Sequence, residues 1–162
     1  MTKTTTPAAP VEFEPEFIDA LKQLFEEKIV FNQVLGLKIA SITPDKATAR
    51  IDMKPQLVGH YSHNRIHGGV ISACLDAMGG LACMAAIGAR HMNEEPLQRL
   101  HRFAKLGTID LRIDYLRPGI SEHFELRAEV MRLGSRVAST RMEFLGADGK
   151  LLSTGAGAYI VS

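Results

Sequence analysis

The chain has no tryptophan, aromatic residues make up 6% of it, and cysteine occurs only twice. Few aromatic rings means few stacking partners for a flat aryl ligand. The two cysteines, Cys74 and Cys83, lie nine residues apart in one apolar stretch. On a helix that spacing sets them roughly 180° apart in azimuth and about 13 Å apart along the axis, too far for a disulfide. They read as small core-filling thiols and give no reason to place the chain in an oxidising compartment. An excess of one charge is also missing: 19 Lys and Arg against 18 Asp and Glu leave a net +1. No global field therefore draws the protein to nucleic acid or to an anionic membrane. The opening MTKTTTPAAPVEFEPE lacks the apolar region and cleavage pattern of a secretory signal, so a cytoplasmic location is expected. There is no G-x-S-x-G elbow, no phosphate-binding loop and no internal repeat. Gly155-Ala156-Gly157 sits near the chain end with no helix to follow, which excludes a dinucleotide loop. Lys and Arg are absent from Gly68 to Ala89, a run long enough to suggest a membrane span. Five glycines, a central Asp76 and amphipathic strand patterns downstream argue instead for a buried core helix.

What is present fits one domain of 162 residues, 46% hydrophobic and 23% charged. Residues 1–13 are Thr/Pro/Ala-rich and expected to form a disordered tail, with a single domain over 14–162. Pro15 suits the first turn of a helix. Phe17, Leu21, Leu24, Phe25 and Ile29 recur at helical spacing, predicting one amphipathic helix that runs to Ile29. Strands follow at 37–42 and 47–53 around the turn Thr43-Pro44-Asp45-Lys46, and Pro55 ends the second. A polar loop over 56–66 leads into the apolar helix 68–88, and the charged segment 90–105 fits no single pattern. Beyond it, Ile109, Leu111, Ile113 and Tyr115 alternate with polar residues, as do Phe124, Leu126, Ala128 and Val130. Ala138, Thr140, Met142 and Phe144 line one face of a third strand. Ala147-Asp148-Gly149-Lys150 turns the chain into a last strand. The order predicts an α+β fold, an antiparallel sheet wrapped around one long helix, with an extra N-terminal amphipathic helix.

The residues that could carry chemistry cluster at His67-Gly68-Gly69 and Asp76. A helix start leaves N–H groups unpaired at the positive end of its dipole, which suits a developing oxyanion. Glycine lets a substrate approach those groups closely, although Gly-Gly is equally suited to a tight loop-to-helix turn. Asp76 is the one charged residue between His67 and Arg90. A carboxylate on an apolar helix is costly to bury unless it is paired or functional. A purely structural Asp76 would be held by Ser72, one turn earlier, or by an arginine from a strand. At eight residues it lies about 12 Å beyond Gly68 along the same helix. The two act together only if the carboxylate comes from a second copy of the helix running the other way, as a two-fold dimer provides. His60, His63 and His67 form an H-x2-H-x3-H run, but the spacing matches no strong zinc motif, and no metal is expected.

The HGG segment with its aspartate nine residues after the histidine resembles the PaaI-type branch of the hotdog-fold thioesterases. The run Gly107-Thr108-Ile109-Asp110-Leu111-Arg112-Ile113-Asp114-Tyr115-Leu116-Arg117-Pro118-Gly119 resembles the YigI-like bacterial medium- and long-chain acyl-CoA thioesterases. So does Phe31-Asn32-Gln33-Val34-Leu35-Gly36-Leu37. The likeness covers about residues 14–161 and implies a hotdog fold, an acyl-CoA substrate, no cofactor beyond the substrate's own CoA, and a homodimer or dimer of dimers. It also implies the Gly68 N–H as oxyanion donor beside His67 and Gly69, with Asp76 of the other subunit as general base or nucleophile. CoA contacts are implied at Arg117, Pro118 and Gly119 and at Arg132, Gly134, Ser135 and Arg136. An asparagine usual six residues before the histidine is replaced here by Tyr61; Asn64 is the chosen substitute, with His60 and His63 beside it. The scarcity of aromatics favours aliphatic over aryl acyl groups. Two rival functions share these features, a hotdog hydratase or dehydratase and a non-catalytic acyl-CoA binder. The first expects a Pro-Gly helix start that this chain lacks, and the second leaves the buried Asp76 without a purpose.

Overall fold

The computed structural model describes residues 11–162; the tail expected over 1–13 lies mostly outside the described residues. The order of elements matches the sequence reading. Helix α1 (Pro15–Gln23) and a short helix α2 (Val30–Leu35) precede strands β1 (Lys38–Ile42) and β2 (Lys46–Asp52). A small hairpin, β3 (Val58–His60) and β4 (Arg65–Ile66), occupies the polar loop before helix α3 (Gly68–Arg90). After the helical turn α4 (Pro96–Arg99) come four long strands: β5 (Gly107–Tyr115), β6 (His123–Leu133), β7 (Val137–Gly146) and β8 (Leu151–Ile160). Six strands form one antiparallel sheet in the order β1-β2-β6-β7-β8-β5. This sheet curls around α3.

Alternation decides which face of each strand meets the helix. Phe124, Leu126 and Ala128 of β6 are buried, and Glu125 and Arg127 between them are exposed. On β7, Ala138, Thr140, Met142 and Phe144 point inward as the pattern predicted. Helix α3 is apolar all round because it lies between the sheet and the N-terminal segment. Twelve of its residues are buried. It is long and apolar enough to cross a membrane, but 61% of its most apolar stretch is buried within the fold. Burial also pushes the Cys74 and Cys83 thiols up to about 12, so both stay protonated and unbridged.

Two expectations are corrected, the first and third below, and one segment left open by the sequence is resolved. The N-terminal helix is not continuous to Ile29. After Gln23 the chain widens into one π-turn, Leu24–Lys28, closed by the Ile29 N–H donating to the Leu24 carbonyl at 3.1 Å. It then restarts as α2, and the buried Asn32 amide donates to the Phe25 carbonyl at 2.9 Å across the break. Gly36, at φ +77°, ends α2 in a Schellman motif: Leu37 N–H reaches Asn32 O at 3.1 Å and Gly36 N–H reaches Gln33 O at 3.1 Å. Second, the ambiguous segment 90–105 forms two short helical turns around Arg99. That guanidinium is fully buried, pairs with Glu14, and lies 4.4 Å over the Phe17 ring. This cation–π and ion-pair clamp fixes α1 against the fold. Third, β5 does not keep its alternation. An irregularity between Thr108 and Asp110 leaves Ile109 exposed and turns Thr108 toward the helix.

Candidate active site

Helix α3 carries the predicted site residues at two levels. At its start, His67 is the N-cap: its Nδ1 accepts the Gly69 N–H at 2.8 Å. An accepting Nδ1 puts the ring proton of neutral His67 on Nε2. The same bond consumes the Gly69 donor, whereas the Gly68 N–H has no acceptor among the described residues. Tyr115, from β5, donates its hydroxyl to the Gly68 carbonyl at 2.9 Å and so braces that first turn. An unpaired N–H at a helix N-terminus is the donor that an oxyanion site requires.

Two turns further on, Asp76 is half-buried and in no ion pair among the described residues. Neither partner expected for a structural role is present. Ser72 turns its hydroxyl back onto its own helix, donating to Gly68 O at 3.2 Å and Gly69 O at 3.1 Å. No arginine reaches the carboxylate among the described residues. Instead, Thr108 of β5 donates to Asp76 Oδ1 at 2.8 Å. Tyr159 of β8 donates to the same oxygen at 3.2 Å and to the Asp76 carbonyl at 3.0 Å. Burial, with the Asp76 charge beside it, holds the Tyr159 phenol well above its usual range, so it remains a donor. Sequence reasoning missed both residues. Thr108 was hidden by the strand irregularity, and Tyr159 is more than eighty positions away with nothing local to link it to the helix.

Asp76 lines a cavity of about 330 Å³ walled by Phe25, Ile29 and Phe31 on one side and Ala77, Gly80 and Met84 on the other. Its wall is therefore built partly by the π-turn and α2. A second cleft of about 350 Å³ brings Gly68 together with Arg117, Pro118 and Gly119, beside Arg65 and Tyr115. Arg117 donates to the Leu151 carbonyl at 2.9 Å, which holds its side chain along the sheet end. The other expected CoA-contacting set is not brought there. Gly134 and Ser135 line a separate cleft at the far end of α3, with Arg90, His91, His101 and Arg102. Arg90 donates to the Leu133 and Gly134 carbonyls, while Arg132 and Arg136 stay exposed and outside that lining.

Asn64 sits in the left-handed conformation, φ 46°, at the tip between β3 and β4, exposed and making no side-chain hydrogen bond among the described residues. His60 and His63 lie beside it with Nδ1 atoms 3.2 Å apart, both touching Ser62 Oγ at 3.1 Å. His67, the third member of the histidine run, is taken up by its helix cap. Among the described residues no group of three His, Cys, Asp or Glu side chains is arranged to hold a metal.

A six-stranded antiparallel sheet curled around one long helix, with a carboxylate and an unpaired helix-start N–H on that helix, is the hotdog α+β class. Residues 63–153 match the thioesterase superfamily. The medium/long-chain acyl-CoA thioesterase YigI of Escherichia coli strain K12 is 33% identical over 141 residues, covering 86% of this chain and 90% of that one. A solved Shewanella oneidensis structure related to the thioesterase superfamily is 34% identical, with a TM-score of 0.82 over 93% of this chain and 100% of that chain. A Syntrophus aciditrophicus structure presented as a candidate thioesterase is 30% identical, with a TM-score of 0.78 over 90% and 95%. The chain belongs to the thioesterase superfamily, and it is a thioester hydrolase.

Proposed function

We propose that the protein hydrolyses medium- to long-chain aliphatic acyl-CoA to the free acid and CoA, in the cytoplasm and as a homo-oligomer. The observation that carries this reading is Asp76, a carboxylate on an apolar helix, held by two hydroxyls and opening onto an apolar cavity. That cavity supports an aliphatic acyl chain lying between α2 and α3. The likeness to the acyl-CoA thioesterase of Escherichia coli supports the same substrate class. The pantetheine arm would leave along the cleft by Gly68, flanked by Arg65 and Arg117, whose guanidinium groups suit phosphates.

In the reaction, Asp76 takes a proton from a water that attacks the thioester carbon, or attacks that carbon itself to give an anhydride that water then opens. The Gly68 N–H donates to the oxyanion that forms. The carbon–sulfur bond breaks as the carbonyl returns, and CoA departs as a thiolate that collects a proton. Water activation and oxyanion stabilisation are enough, because the thiolate leaves readily. Neither a cofactor nor a metal enters the scheme.

Asp76 stands about 12 Å from Gly68 of its own helix, so the pair must be assembled from two subunits. The β5 edge supports how. Thr108 touches Asp76 near one end of β5 and Tyr115 touches Gly68 at the other. Two copies paired antiparallel along β5, with Thr108 of one opposite Tyr115 of the other, bring each Asp76 toward the Gly68 of the partner subunit. The arrangement occurs twice per dimer.

The test is thiol release from acetyl- through palmitoyl-CoA, with phenylacetyl- and benzoyl-CoA included, for wild type and Asp76→Asn. Release should rise along the aliphatic series and fall about 10²- to 10⁴-fold in the variant, with fold and oligomer intact. Full activity in Asp76→Asn would overturn the assignment of Asp76. Binding of acyl-CoA without release from any substrate would make the protein a binder instead.

A further inference from the structure

We infer that Tyr159, helped by Thr108, is a positioning residue that holds Asp76 Oδ1 and leaves Oδ2 as the oxygen that meets water or the thioester; this rests on the hydrolytic reading of Asp76. A carboxylate on a helix swings about two torsions, and a misplacement of about 1 Å at a reacting atom is enough to cost much of the rate. Tyr159 removes that freedom by an unusual bridge. Its one hydroxyl lies 3.0 Å from the main-chain oxygen and 3.2 Å from Oδ1 of the same residue, tying the side chain to its own backbone. Thr108 adds a donor to Oδ1 at 2.8 Å from the opposite strand of the β5–β8 pair, where the two residues are register partners. Asp76 Oδ2 accepts no hydrogen bond among the described residues.

The slot around the tyrosine ring is built for this approach. A Cβ on Gly79 would collide with the Tyr159 hydroxyl, and one on Gly157 would fall 2.8 Å from its ring. Glycine at both positions lets the ring lie flat against α3 beside Cys83 and Ala138. Phenylalanine would fill the same slot, so packing alone does not explain the hydroxyl. The hydroxyl meets the main-chain and side-chain oxygens of Asp76 together, so what it adds over phenylalanine is a hold on that one residue.

The experiment compares wild type, Tyr159→Phe, Thr108→Val and Asp76→Asn as full-length protein, reading kcat and KM for thiol release from a medium-chain acyl-CoA, with thermal melting alongside. Tyr159→Phe should lower kcat about ten- to a hundred-fold, the scale of one lost hydrogen bond to a charged group, with KM nearly unchanged and the melt little moved. Thr108→Val, which keeps the volume of the side chain, should lower kcat in the same manner, and it carries the test if the Phe variant does not fold. Wild-type kcat in Tyr159→Phe or, failing that, in Thr108→Val overturns the inference while a dead Asp76→Asn leaves the hydrolytic reading standing. An apparent fall in Tyr159→Phe that disappears once the rate is expressed per folded protein makes Tyr159 structural and also overturns it. Absence of thiol release from wild type removes both readings together.

Discussion

The two edges of the sheet are finished in opposite ways. At one edge, β1 is five residues long, breaks register between Ile39 and Ser41, and is met by Glu26 from the π-turn. The Glu26 carboxylate accepts the Ile39 N–H at 2.8 Å and pairs with Lys38 at 3.0 Å. Short length, irregular register and charge are how a strand edge is kept from templating further pairing. At the other edge, β5 runs nine residues, pairs on one side with β8, and leaves Ile109 and Tyr115 exposed at 56% and 54%. Its two ends touch Asp76 and Gly68, the two groups of the proposed mechanism. In the mechanism proposed above, the covered edge is closed to a second copy, and the longer open edge next to Asp76 is where that copy would complete the site.

The largest effect that would break this comparison comes from Gly68→Pro. Proline removes the unpaired N–H and adds ring carbons beside Tyr115, where a Cβ would lie 3.4 Å from the ring, and it is tolerated at the first helical position. His67 already has φ −68° and ψ 135°, the extended conformation a following proline favours. Thiol release should fall about 10²- to 10³-fold, the scale of one lost oxyanion donor. Mixing unfolded-and-refolded Gly68→Pro with Asp76→Asn should then restore activity, since a mixed dimer holds one site with neither change. No recovery on mixing would mean that both groups serve a site within one chain, and that the β5 edge has another purpose.

A smaller effect links the covered edge to the substrate. The segment that caps β1 also supplies Phe25, Ile29 and Phe31 to the Asp76 cavity, facing Gly80 and Met84. A Cβ on Gly80 would meet nothing within 4 Å. Gly80→Leu should therefore fill the cavity without colliding with the fold. Its activity profile is expected to shift to shorter acyl chains by a few carbons, with kcat for the shortest substrates kept. An unchanged chain-length profile would place the acyl group elsewhere.

The same contrast explains what the sequence could and could not reveal. Alternation of apolar residues marked β6 and β7 because each buries a regular face, whereas α3 was marked by its unbroken apolar run and β8 by the turn before it. Asp76 and Gly68 stood out because charge is missing around the first and a Cβ is missing at the second. Thr108 did not, because the irregularity in β5 shifts the inward face by one residue, and alternation alone put Ile109 inside. Tyr159 and Arg99 were invisible for a different reason. Each acts through a partner distant in sequence, Asp76 for the first and Glu14 for the second, and no local pattern encodes a tertiary hydrogen bond. The break at Leu24–Lys28 was hidden too, since Leu24, Phe25 and Ile29 keep helical spacing through a π-turn.

The smallest effect tests the covered edge itself. Glu26→Ala frees the Ile39 N–H and leaves Lys38 without its partner, but it touches neither Asp76 nor Gly68. Glu26 is partly exposed and Lys38 largely so, at 16% and 68% of their side chains, so solvent already screens the pair. Most of the loss comes from the charge-assisted bond to the main chain, and about 1 kcal/mol of stability is expected, read as a lower urea midpoint with an unchanged slope. Thiol release per folded chain should hold at the wild-type level. With β1 uncovered, slow concentration-dependent self-association should appear that wild type does not show, because the edge then offers an unpaired N–H guarded only by Lys38. A variant that stays at the wild-type oligomeric size at high concentration would mean that the short, irregular β1 is protected by its shape and by Lys38, and that Glu26 contributes only its hydrogen bond.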